Sequence, residues 1–93
     1  MTFTAELWRH AGQGGWHFVT LPHDVADEVR ARSLPRRGFG SVRVRATLGA
    51  TSWETSVFPD AKTSSYLLPV KGDVRQRERV RDGDTVTISL ALV

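Results

Sequence analysis

Three cations recur at every fourth position, Lys71, Arg75 and Arg79, inside "VKGDVRQRERVRDGD". That spacing puts them on one face of a helix, with Arg77 and Arg81 in a second row beside Asp73 and Glu78. Guanidinium groups suit phosphate because their planar donors grip two oxygens at once. A second basic stretch, Arg36 to Arg45, holds four arginines and no acid. Of these, Arg43 and Arg45 alternate with Val42, Val44 and Ala46, so both point away from a core. Phe58 falls out of phase with the same alternation and shares the outer face with Ser56, Arg43 and Arg45. An aromatic beside arginines is a platform on which a base or another planar anion stacks. The expected ligand-binding residues are therefore Arg43, Arg45, Phe58, Lys71 and Arg75. A solvated basic face and a helix covering the aromatics are the competing accounts.

Other chemistry finds less support. His10 and His17 face one another if Gly12 to Gly15 form a hairpin turn, but His23 is the only further nitrogen ligand, so no metal site is expected. The glycines lead into a strand, whereas phosphate-cradling loops lead into helix N-termini. Ser41, Ser56, Ser64 and Ser65 have no histidine and carboxylate placed to activate them. Asp82 and Asp84 read as turn formers, and Glu54 as a partner for Arg45. No catalytic residue, no enzyme activity and no cofactor are expected.

The elements that carry these residues follow one plan twice. Phe3, Ala5 and Leu7 alternate with Thr4, Glu6 and Trp8 as in a half-buried strand, and a second apolar run spans Trp16 to Leu21. Pro22 and Asp24 start a helix to about Ser33, with Val25, Ala26 and Val29 on its inner face. "LPRRGFGS" ends it. Gly49-Ala50 closes a two-residue hairpin that sets Arg45 opposite Glu54, Arg43 opposite Ser56 and Ala46 opposite Trp53. Tyr66 to Leu68, Pro69, a helix from about Lys71 to Arg79, the turn Asp82-Gly83-Asp84 and a strand with Val86, Ile88, Leu90 and Leu92 inward complete the chain. Pro22 and Pro69 lie 47 residues apart, about half the chain. Two similar halves, about 1–48 and 51–93, pack most simply as one small closed or split β-barrel of about six strands with two short helices. Trp16 and Trp53 are expected to fill it.

Totals bound the function. With 93 residues and 40% of them apolar, the chain can bury a core without staples, so a single domain is expected. Cysteine is absent, which removes disulfides and thiolate metal sites and suits a reducing cytosol. No leader-like segment and no apolar run of about 18 residues occurs, so a cytoplasmic protein without a membrane partner is expected. Net charge is only +3, but it is concentrated in the two basic stretches.

Two resemblances add to this. "YLLPVKGDVRQRERVRDGDTVTISL" resembles the swapped-hairpin unit of the AbrB and MazE transcription factors, in which a strand, proline, short helix and Gly-Asp turn recur. That likeness implies DNA read by arginines on the sheet side of two interlocked copies. The first half departs from it, with Gly38-Phe39-Gly40 where Gly-Asp is expected. The runs "GGWHFVTLP", "RGFGSVRVRATLG", "TSWETSVFP", "YLLPVK" and "DGDTVTISL" are similar to a bacterial family catalogued as domain of unknown function nineteen-oh-five. This likeness covers nearly the whole chain and implies a double-split barrel, with no biochemical role attached. The expectation is a small binding module for an anionic ligand, nucleic acid first. The alternative is a protein-interaction or self-association domain that docks a partner chain or a second copy through Trp8 and Phe58.

Overall fold

A computed structural model describes residues 1–12, 14–33 and 40–93. The elements run β1 (Thr2–Arg9), β2 (His17–Thr20), α1 (His23–Arg32), β3 (Val42–Leu48), β4 (Thr51–Asp60), β5 (Ser65–Pro69), α2 (Gly72–Glu78) and β6 (Thr85–Leu92). The six strands close into an antiparallel barrel in the order β1-β2-β5-β4-β3-β6, so no strand is left with an unpaired edge. Exchanging β1, β2 and β3 for β4, β5 and β6 leaves every neighbour relation unchanged. Each half of the chain therefore meets the other along four of the six strand pairs, β1 against β6, β2 against β5, β3 against β4 and β3 against β6.

Period-two alternation gives the barrel its inside and outside. Phe3 and Leu7 point in from β1, Val42, Val44, Ala46 and Leu48 from β3, and Val86, Ile88 and Leu90 from β6. The hairpin of β3 and β4 has the expected register, with Arg45 opposite Glu54, Arg43 opposite Ser56 and Ala46 opposite Trp53. Gly49 supplies the positive φ that its tight turn needs. Between β6 and β1, the turn Asp82-Gly83-Asp84 is pinned to the barrel by Gly83 N–H donating to Leu7 O and Leu7 N–H to Asp84 O.

Both helices add to the same core. In α1, Val25, Ala26 and Val29 are buried, as their spacing predicts, and Pro22 and Ser33 flank the helix. In α2 only Val74 is buried. The expected row Lys71, Arg75, Arg79 does not run along one helix, because α2 ends at Glu78 and Arg79 adopts a left-handed conformation at the C-cap. Its N–H instead closes onto the carbonyls of Arg75 and Gln76. The Glu78 carboxylate is held by the Thr51 hydroxyl, which donates to it at 2.6 Å. That contact fastens α2 to the start of β4.

One tryptophan assignment needs correction. Trp53 lies inside the barrel, 8% exposed, with its indole N–H directed at Pro69 O. Trp16 does not fill the barrel: it is 58% exposed. The β2 alternation explains this, since His17, Val19 and Leu21 face inward and leave Trp16, Phe18 and Thr20 outside. The second basic stretch is visible only in part, since Arg36 and Arg37, like most of "LPRRGFGS", lie outside the described residues.

Candidate functional site: an aromatic groove over the seam of β2 and β5

The outer surface of the barrel has two unlike sides. Around β6, small hydroxyls face outward in register: Thr2 opposite Ser89, Ser89 opposite Thr47 and Thr47 opposite Ser52, one row across four strands. Several bond to one another directly, Thr2 with Ser89, Thr4 with Thr87 and Thr47 with Ser52.

Around β2 and β5 the outward positions are aromatic. Trp8 of β1 tilts against Phe18 of β2, with ring centroids 5.2 Å apart, and its indole N–H donates to Thr20 Oγ1. Trp16 stacks on the same Phe18 nearly in parallel, at 6.1 Å and 8° between planes, and His10 meets Phe18 edge-on at 6.4 Å. Trp16, Phe18 and His10 line a groove of about 380 Å³ together with Gly12, Leu67 and Phe58. Phe58 is 46% exposed. Burying aromatic area is favourable by roughly 25 cal/mol per Å², and two of these rings, Trp16 and Phe58, are left open to solvent.

Cations stand at the margins. Beyond Trp16, the groove continues into a hollow of about 270 Å³ lined by Lys71, Gly72, Arg75, Val70, His17 and Gly14. The Arg75 guanidinium is oriented by its Nε donating to Val70 O at 3.2 Å. Beyond His10 and Leu67, the groove widens into a hollow of about 630 Å³ that includes Trp8, Arg9, Lys62 and Asp60. The Asp60 carboxylate accepts a hydrogen bond from the Thr63 hydroxyl. Among the described residues, no carboxylate lies within ion-pair reach of Lys71, Arg75, Arg9 or Lys62. Arg43 and Arg45 differ: both lean on Glu54, at 3.8 and 2.9 Å.

Of the five expected residues, Phe58 lines the aromatic groove, Lys71 and Arg75 line the hollow that shares Trp16 with it, and Arg43 and Arg45 pair with Glu54 on the β3 and β4 hairpin. Trp16, Phe18, His10 and Trp8 complete the groove, as do Arg9 and Lys62. The signal for them was the alternation of β2 read against Leu7: once Leu7 and Val19 pair as inward residues, Phe18 must point out.

The histidines also separate. His17 pairs with Arg9, not His10, and is buried at 8% exposure, with Nδ1 2.7 Å from Gly15 O and Nε2 3.8 Å from Asp82 Oδ1. It is thus not a surface histidine but a tie between the β1–β2 loop and the Asp82 turn. His10 Nδ1 accepts from Gly12 N–H on the opposite face. Among the described residues no cluster of three or more metal-ligating side chains occurs, and no helix is long and apolar enough to cross a membrane.

A small closed antiparallel barrel with two helices and one aromatic outer side defines the class. The chain belongs to the family described as domain of unknown function DUF1905, whose model matches residues 3–90. That match spans the barrel from β1 into β6. No curated protein matches the chain.

Proposed function

We propose that this protein is a non-catalytic, cytoplasmic binding module whose groove over the seam of β2 and β5 takes an anionic ligand with a planar face, nucleic acid being the leading class. One observation carries the reading: Lys71 and Arg75, which have no carboxylate partner among the described residues, line a hollow that shares the open ring of Trp16 with the aromatic groove, while Arg43 and Arg45 lean on Glu54. An unpaired Lys71 and Arg75 beside the open rings of Trp16 and Phe58 suit a phosphate and a base together. The absence of cysteine fits a reducing compartment. Labelled oligonucleotides titrated with the protein test the reading. Binding at about 50 mM salt should weaken at about 200 mM and be lost in Lys71→Ala with Arg75→Ala, with thermal stability unchanged. Loss of stability without change in binding would make those residues scaffold.

A second reading follows from the exposure of Trp16 and Phe58. Two copies, or one copy and another protein, cover those rings by packing groove to groove. Sedimentation at micromolar concentration separates the readings, because only the second makes mass depend on concentration and on Trp16.

A further inference from the structure

The three hollows follow one another through shared lining residues. The basic hollow shares Trp16 with the aromatic groove, and the aromatic groove shares His10 and Leu67 with the wide hollow. The two end hollows share no lining residue. The path therefore runs from Lys71 and Arg75, across Trp16 and Phe58, to Arg9 and Lys62. Cations stand at both ends and open rings between them.

A mononucleotide satisfies one end only. A duplex offers phosphates but keeps its base faces inside its own stack, which leaves the rings unused. An acidic peptide meets the cations yet brings no run of flat faces for the middle. A single strand of nucleic acid supplies both features in the order found, phosphate, base, phosphate. The carboxylate at the wide end, Asp60, is engaged by Thr63 and is outnumbered there by Arg9 and Lys62.

Resting on the anionic-ligand reading above, we propose that the groove binds single-stranded nucleic acid lengthwise, with Arg9 and Lys62 forming a second phosphate subsite opposite Lys71 and Arg75 and Trp16 and Phe58 stacking the bases between. Sequence selectivity is low, because stacking accepts every base face.

Quenching of tryptophan fluorescence by thymidine monophosphate, by single-stranded oligothymidylates of increasing length and by a duplex is the test. Single-strand affinity falls with a slope near 0.7 per neutralised phosphate in log salt, so about a fourfold rise in salt costs about 50-fold with four cations engaged and about sevenfold with two. The expected result for a 5′-phosphorylated tetranucleotide, which carries four phosphates, is about 50-fold, with affinity at least about tenfold above the mononucleotide. In Arg9→Ala with Lys62→Ala the drop should shrink to about sevenfold and the advantage of length disappear, while circular dichroism and melting stay unchanged. If mononucleotide and tetranucleotide bind alike and this variant behaves as the parent, the second subsite is refuted and the anionic-ligand reading stands. Equal or tighter binding of the duplex overturns the single-strand assignment. No quenching by any probe at low salt overturns both, and a dimer that Trp16→Ala dissolves then assigns the groove to a second copy.

Discussion

Trp16 and Trp53 carry the same side chain into opposite surroundings, and their loss should be felt in opposite ways. Trp53→Ala empties a buried position and removes an indole that donates to Pro69 O, so it should cost about 3–5 kcal/mol of stability in urea unfolding. Trp16→Ala removes a ring that is 58% exposed and touches Phe18 on one face, so it should cost less than about 1 kcal/mol and abolish ligand-induced quenching. A large loss of stability from Trp16→Ala would show that its stacking on Phe18 supports the fold. Trp53 was legible in the sequence because the Gly49-Ala50 turn fixes which β4 residues oppose Ala46. Trp16 was not, because it precedes β2 and the loop from His10 to Trp16 hides the register of the first hairpin. Arg43 and Arg45 were legible only in part. Their outward direction was readable, but one carboxylate serving two arginines is a fact of side-chain reach that alternation does not contain.

At the level of elements, α2 is two turns long and is held from its C-terminal end. Glu78 accepts from Thr51, and the hairpin turn at Gly49 packs so close that a Cβ there would run into the Glu78 carboxylate. The two sites are therefore coupled. Glu78→Ala leaves the Thr51 hydroxyl without its acceptor and should cost about 1–2 kcal/mol. Gly49→Ala should cost more, through both the collision and its positive φ. In the Glu78→Ala background the same glycine substitution should cost only the backbone strain, about 1–2 kcal/mol. Additive losses in this cycle would show that the helix relaxes away from the turn. The sequence placed both helices to within two residues at each end, since proline and buried valine spacing mark them. It ended α2 one residue too late, at Arg79, where the chain turns left-handed on its way to β6.

For the whole molecule, the two sides of the barrel differ in what they expose. Hydroxyl rows around β6 are already bonded to one another, and the open rings of Trp16 and Phe58 lie around β2 and β5 with Lys71 and Arg75 beside them. Amide shifts during titration with a short single strand should therefore move in β2, β5, the 10–16 loop and the start of α2, and stay still in β6 and the adjoining half of β3. Shifts spread evenly around the barrel would speak for a change of the entire fold. This division could not be read from composition, because net charge and aromatic content say nothing of the side on which each falls.

The strand order that survives exchange of the two halves has a mechanical consequence. The groove lies across a seam, with Trp16 and Phe18 supplied by the first half and Phe58, Lys71 and Arg75 by the second. A ligand seated there acts as a rivet through two plates. Its binding free energy resists the opening of the seam itself, and that resistance grows with the logarithm of ligand concentration once the site is filled. Neither plate holds a rivet alone, so occupancy of the groove reports that both halves of the chain are in register.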